Sequence, residues 1–373
     1  MMPDPAVLAT LVLIGSALIS AALVWPARLA ALRWGVIDRP GHRKVHAEPT
    51  ARLGGVAVYL SFVFVVAAGY ALASRLPEVP WFGEVLPLST YVLRDVNKVE
   101  NKLLAFVLGS TLSFAVGLAD DVWGQRFPVW AKAAGQVIAA VILIAADVTT
   151  SFLPWPWMND AVTLLWLVGM TNAFNLLDNM DGLSAGVAFV ASLVLLINAW
   201  SLGEIFISLI LVAFMGSLLG FLVFNVQPAR IFLGDCGSLF IGYVMGSLTL
   251  LEKYVSHASG LLFPILMPVL VLAVPLVDTA TVMFIRLRER RPLYIGDNRH
   301  LSHRLVSLGF SRRRAVAALY LMTFSLGLGA AALTDANLFQ SVLVLLQTFG
   351  FVALVLMLMF TDRPMPPADR PPA

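Results

Sequence analysis

Charge is scarce in this chain: of 373 residues only 13% are Asp, Glu, Lys or Arg, against about a quarter in an ordinary soluble domain. Cysteine is reduced to Cys236, which excludes an intramolecular disulfide and argues against a thiolate metal site. There is no P-loop and no dinucleotide fingerprint, so the two commonest phosphate-cradling loops are missing. No internal repeat is visible. The net charge is only +3, and no basic stripe with interleaved aromatics is present, which argues against a nucleic-acid partner.

What the chain has in abundance is apolar length. Hydrophobic residues make up 59% of it and its mean hydropathy is +0.86, the composition of an integral membrane protein. Apolar runs of about 17 to 25 residues predict about eleven spans, starting near Ala6, Leu53, Lys102, Val129, Ala161, Leu183, Glu204, Cys236, Gly260, Arg314 and Asn337. No alternating ten-residue pattern suggests a barrel, so the spans are expected to be helices. The first run has no basic residue ahead of it and reads as a retained anchor rather than a cleaved signal. Residues 1–361 are expected to form one polytopic catalytic domain, and the Pro-rich tail 362–373 to be disordered. The fold class is therefore an all-α polytopic membrane bundle.

The basic residues divide unevenly between the connections. Arg75, Arg94, Lys98, Lys102 and Lys253 fall in or beside the even ones, and the other 20 of the 25 in or beside the odd ones and the C-terminal tail. By the positive-inside rule the N-terminus lies outside, and the odd connections and C-terminus are cytoplasmic. The polar clusters gather on that same side: "DRPGHRKVHAEPTARLGG", "GLADDVWG", "NAFNLLDNMDGLSAG", "NVQPARIFLGDCGS" and "RERRPLYIGDNRHLSHRL". An acidic residue in a spanning helix costs roughly 2.5–3.5 kcal/mol on insertion scales, so such groups mark function by default.

Each cluster has a structural reading beside the functional one. Asp120 and Asp121 could be a solvated helix end, or a carboxylate pair that shares a proton or binds a cation. In "NAFNLLDNMDG", Asn172, Asn175, Asp178 and Asp181 recur at every third position, and three residues advance a helix by about 300°. The four converge only if the helix tightens or breaks. Asp, Asn and Gly in "DNMDG" supply a break, placing the asparagines on the last helical turns and the aspartates in a loop. Asp235 could be the N-cap of the following helix, or could serve a phosphate at that helix start with Arg230 nearby. Lys132 could be a snorkelling anchor or a phosphate ligand. The arginine-rich loop suits lipid headgroups, but that leaves Asp297, His300 and His303 unexplained. Guanidinium groups also fork onto phosphates, and His moves protons near neutral pH. Asp and Asn oxygens with no thiolate suit a hard cation, Mg²⁺ first.

Taken in order from about Asp38 to Leu305, "RKVH" and "RLGG", "LADD", "NAFNLLDNMDGLSAG", "FLGDCGS" and "DNRHLSHRL" resemble the polyprenyl-phosphate N-acetylhexosamine-1-phosphate transferases, and most closely their undecaprenyl-phosphate GlcNAc-1-phosphate branch. The resemblance implies transfer of a sugar-1-phosphate from a UDP-N-acetylhexosamine to undecaprenyl phosphate at the cytoplasmic face of a bacterial inner membrane, with release of UMP. It implies Mg²⁺, with Mn²⁺ as a substitute, held by Asn175 and Asp235 with Asp178 close by. Asp120 or Asp121 would deprotonate or position the lipid phosphate, and Asn172 and Asp181 would serve the nucleotide. Lys132, Arg299, His300 and His303 would contact phosphates or sugar, with Lys44, His46 and Arg230 among the substrate-binding candidates; a homodimer is left open. Two departures stand out: Ser302 replaces a histidine common in relatives, and Gly124 replaces a lysine usual in the murein-precursor branch, which argues against the muramoyl-pentapeptide substrate. A direct attack by the lipid phosphate and a covalent aspartyl intermediate both fit. The rival class is a secondary transporter, whose intramembrane charges tend to lie at the bilayer midplane between repeats.

Overall fold

A computed structural model of the chain describes residues 5–38, 49–75, 88–252, 254, 263–290, 299–333 and 338–360. It is almost entirely helical. The helices are α1 (Pro5–Trp34), α2 (Gly54–Arg75), α3 (Leu88–Trp123), α4 (Val129–Ile144), α5 (Pro156–Leu177), α6 (Leu183–Ser201), α7 (Ile205–Asn225) and α8 (Gly234–Leu251). After them come α9 (Phe263–Val271), α10 (Ala273–Arg288), the short α11 (Leu301–Ser307), α12 (Arg312–Ala332) and α13 (Leu338–Phe360). The only sheet among the described residues is one antiparallel pair, β1 (Ile37–Asp38) with β2 (Thr50–Ala51), in which Ile37 faces Ala51.

Nine of the described helices are long and apolar enough to cross a membrane. The sequence suggests about eleven spans, and the difference has two physical sources. The run starting at Val129 forms a helix of 16 residues, about 24 Å at 1.5 Å per residue, short of a 30 Å hydrocarbon core. The run beginning near Gly260 is broken at Leu272 into α9 and α10. Pro275 lies in the first turn of α10, and a proline lacks the donor for, and crowds, the carbonyl four residues before it, here that of Val271, the last residue of α9.

Helix α8 is the centre of the bundle and α13 its rim: 83% of the apolar window of α8 is buried, against 11% for α13. Helices α2, α3 and α5 all pack on α8. Phe62 of α2, Phe214 of α7 and Phe240 of α8 meet edge to face. Small residues allow the close approach that membrane helices rely on. On α1, Ser16 and Ser20 donate to the Ala213 and Ser217 carbonyls of α7, each at 2.7 Å. Trp, Leu and Phe side chains cover the outer surface of α13 and the exposed face of α1, as a lipid-facing boundary requires.

Alternate helix ends meet at one end of the bundle. The C-terminal ends of α3, α5, α7 and α10 and the N-terminal ends of α4, α6, α8 and α12 belong to the polar connections. This arrangement positions the site.

Candidate active site at one end of the bundle

The site is built around the first turn of α8. Gly234 opens that helix with φ +76°, and a Cβ there would sit 2.2 Å from the Arg52 carbonyl oxygen and 2.6 Å from an Asp121 carboxylate oxygen. Only glycine fits both the left-handed backbone and the contact. The free N–H groups of α8 are capped from a different helix: Asp121, at the end of α3, accepts from the Asp235 N–H at 3.0 Å and the Cys236 N–H at 2.9 Å. The capping role that the sequence leaves open for Asp235 thus belongs to Asp121, whose side chain has no solvent exposure. Asp121→Ala would strand two buried donors, and should lower stability by about 1–3 kcal/mol, read as a lower melting temperature of the detergent-solubilised protein.

Relieved of capping, the Asp235 carboxylate collects three partners. Lys132 Nζ, from the first turns of α4, lies 2.8 Å from Asp235 Oδ2 and 2.8 Å from Asp120 Oδ2, and also donates to Asn175 Oδ1 at 3.3 Å. Arg52 Nη2 is 3.3 Å from Asp235 Oδ1 and 3.4 Å from Asp121 Oδ1. Asn175 Nδ2 donates to Asp235 Oδ1 at 3.2 Å and to Ser238 Oγ at 2.8 Å. Adjacent residues on a helix point about 100° apart, and the two aspartates at the end of α3 divide accordingly, Asp120 to the Lys132 ammonium and Asp121 to the backbone of α8.

The "NAFNLLDNMDG" stretch breaks as its composition suggests. Helix α5 ends at Leu177, Asp178 is its C-cap with φ −77° and ψ 52°, and Gly182 adopts φ +76° just before α6. Its four regularly spaced groups take different directions. Asn172, one turn deeper than Asn175, exchanges hydrogen bonds with Gln136 of α4, donating at 2.7 Å and accepting at 3.3 Å. Asp181 Oδ2 accepts the Ala229 N–H at 3.0 Å, and Gly182 N–H donates to Asn225 Oδ1 at 2.9 Å, so this loop is tied to the one preceding α8. The Asp178 carboxyl accepts no hydrogen bond from the described residues. Burial, with the negative charge of Asp235 beside it, pushes its pKa up to about 8.

The histidine segment packs next to this loop. Ser302 Oγ donates to Asn179 Oδ1 at 2.5 Å, so Ser302 ties the first turn of α11 to the loop after α5. His300 is 3% exposed, and its Nδ1 lies 2.8 Å from Asp278 Oδ2 of α10. His303 is less buried, and its ring centre is 6.4 Å from that of His300. Arg299 pairs with Glu289, and Arg230 is exposed at the entry to α8. Lys44, His46 and Asp297 lie outside the described residues, as does the tail 362–373.

Four residues of the site escape a reading of the sequence: Arg52, Gln136 and Ser238 in the cluster, and Asp278 beneath the histidine segment. Asp278 carried a readable signal, a lone acid inside the apolar "AVPLVDTATVMF". Gln136 follows Lys132 by four residues and so shares its helix face. Ser238 carried none, because its partner is 63 residues away.

Residues 103–252 match the model of glycosyl transferase family 4. A probable undecaprenyl-phosphate N-acetylglucosaminyl 1-phosphate transferase of Bacillus subtilis is 30% identical over 334 residues, covering 87% of this chain and 85% of its own length. The chain belongs to glycosyl transferase family 4. A decaprenyl-phosphate N-acetylglucosaminephosphotransferase of Mycolicibacterium smegmatis is 33% identical, across 82% of this chain and 77% of the relative. Within the family, a phospho-N-acetylmuramoyl-pentapeptide-transferase of Shouchella clausii aligns at 33% identity over only 57% of this chain. The matched segment of this family 4 chain holds Asp120, Asp121, Lys132, Asn175 and Asp235.

The oxygens around Lys132 are of the type that a hard divalent ion takes. The Lys132 ammonium is bracketed by three oxygens from Asp120, Asn175 and Asp235, the surroundings of a bound cation. Among the described residues no three His, Cys, Asp or Glu side chains are grouped to hold a metal unaided. An ion that takes one or two protein oxygens and completes its shell with water and substrate phosphates needs no such group.

Proposed function

We propose that this chain transfers N-acetylglucosamine-1-phosphate from UDP-N-acetylglucosamine to undecaprenyl phosphate, with Mg²⁺, at the cytoplasmic face of a bacterial inner membrane. The observation that carries the reading is the Lys132 ammonium held between Asp120 and Asp235, with Asn175 completing the ring: alternating charges from α3, α4, α5 and α8 at one end of an apolar bundle. Its place at the end rather than the middle favours chemistry on a headgroup over passage of a solute. The excess of basic residues in the odd connections supports the cytoplasmic side.

Phosphoryl-type transfer asks a protein for positioning and charge neutralisation. An oxygen of the lipid phosphate forms a bond to the phosphorus that carries the sugar. The bond from that phosphorus to the bridging oxygen breaks, and UMP leaves with the bridging oxygen. When bound, Mg²⁺ would be held by Asp235 and Asn175 with Asp178 beside them, and would neutralise charge on the pyrophosphate. Lys132 and Arg52 add positive charge where the leaving phosphate gains negative charge. Asp120 orients Lys132, and Asp121 holds the first turn of α8 that carries Asp235.

Direct attack is favoured over an aspartyl intermediate because a dianionic phosphate is already a competent nucleophile. Enzyme mixed with UDP-sugar and no lipid should therefore give no stoichiometric burst of UMP; such a burst with a labelled protein adduct would move the nucleophile to an aspartate. The function itself is tested with a panel of UDP-sugars and undecaprenyl phosphate, read as UMP. UDP-N-acetylglucosamine should be the best donor, and a preference for UDP-N-acetylmuramoyl-pentapeptide would move the chain to the murein branch.

A further inference from the structure

The Asp278–His300 pair lies off the carboxylate cluster and is built from both sides. Asp278 is 2% exposed and His300 is 3% exposed, and Asp278 sits within an apolar stretch of α10 where a carboxylate needs a reason to be retained. Both of its oxygens are used on the same short segment. Oδ1 accepts the Leu301 N–H at 2.6 Å, which caps the start of α11, and Oδ2 lies 2.8 Å from His300 Nδ1. A neutral imidazole facing a carboxylate through Nδ1 must carry its proton there, which leaves Nε2 as the acceptor. From the other side, Ser302 Oγ donates to Asn179 Oδ1 at 2.5 Å, and Asn179 directly follows Asp178.

We propose that Asp278 is a positioning residue for the transfer reaction: it fixes His300 as the Nδ1-protonated tautomer and, through the Leu301 N–H, sets the start of α11 so that His303 is presented beside the Asp178 loop. His300 is too buried to serve as an open substrate contact, and acts through its orientation. The proposal rests on the transferase reading for its kinetic consequence, but not for its structural one.

Two measurements separate these. In protein labelled with ¹⁵N-histidine, with the His300 signals identified by their loss in His300→Gln, the parent should show the Nδ1-protonated tautomer. Asp278→Asn should show the other form or a mixture, because the amide can still accept from the Leu301 N–H but now offers an N–H toward Nδ1. In UMP release, Asp278→Asn should lower kcat on the order of 10- to 100-fold, the size carried by carboxylates that orient metal-ligating histidines, with little change in KM and in melting temperature. Asp278→Glu should restore part of the loss. Asp278→Asn combined with His300→Gln should be no worse than the poorer single variant.

An unchanged His300 tautomer in Asp278→Asn overturns the proposal even if no UDP-sugar is turned over. So does a parent-like kcat, or losses that add in the double variant. If Asp278→Asn does not fold, Asp278→Glu decides, and a His300 signal in the Nε2-protonated form in that folded variant overturns the proposal. Absence of UMP release by the parent with the tautomer as stated instead overturns the transferase reading.

Discussion

Asp235→Asn should lower UMP release on the order of 1,000-fold, with a smaller loss of melting temperature than Lys132→Met, because Lys132 keeps Asp120 as a partner. The Asp235 backbone N–H donates to Asp121, and that bond is unaffected by the substitution. Its carboxylate meets Lys132 at 2.8 Å, Arg52 at 3.3 Å and Asn175 at 3.2 Å, and here one negative charge disappears from the centre of the site. Removing a single preorganised electrostatic contact from an enzyme site typically costs about 100- to 1,000-fold in rate, and under the proposed function Asp235 would hold the cation as well as orient Lys132. The substitution changes neither size nor shape. A variant that retained a tenth of parental activity would place the reacting phosphates elsewhere.

Lys132→Met should act on stability and rate together. The ammonium now lies between two carboxylates that are each only about a fifth exposed, Asp120 at 19% and Asp235 at 23%. Stripping the partner from a fully buried ion pair costs about 3–5 kcal/mol; the partial access of water here reduces that to about 1–3 kcal/mol. Millimolar Mg²⁺ should return most of the lost melting temperature, because the ion replaces the missing positive charge. The parent should gain less from Mg²⁺, since its own ammonium already neutralises the acids. UMP release should fall about 100-fold or more even with Mg²⁺. Equal Mg²⁺ stabilisation of parent and Lys132→Met would mean that lysine and ion do not share these oxygens.

These expectations show which parts of the molecule its sequence exposes. Apolar run length and the rarity of charge make the helical membrane architecture legible, and turn chemistry in "DNMDG" locates the break after Leu177. The acids at helix ends stand out because a charge in an apolar segment is costly. Their division of labour does not. Whether Asp121 or Asp235 caps α8 depends on how the end of α3 meets that helix 114 residues later, and periodicity carries no such information. Gln136 as the partner of Asn172, and Ser238 as the partner of Asn175, likewise follow from packing between α4, α5 and α8. The break between α9 and α10 is hidden because composition stays apolar on both sides of Leu272, and a proline such as Pro275 in an apolar run can kink a span as readily as end one.

Under the proposed function, oxygens of Asp235, Asn175 and Asp178 would form, with a nucleotide sugar, one divalent-ion site. Mn²⁺ binding followed by electron paramagnetic resonance in the presence of UDP-N-acetylglucosamine tests it most directly. One Mn²⁺ per chain is predicted for the parent, displaced by excess Mg²⁺ and lost in Asp235→Asn. Equal Mn²⁺ binding by the parent and Asp235→Asn would contradict the claim.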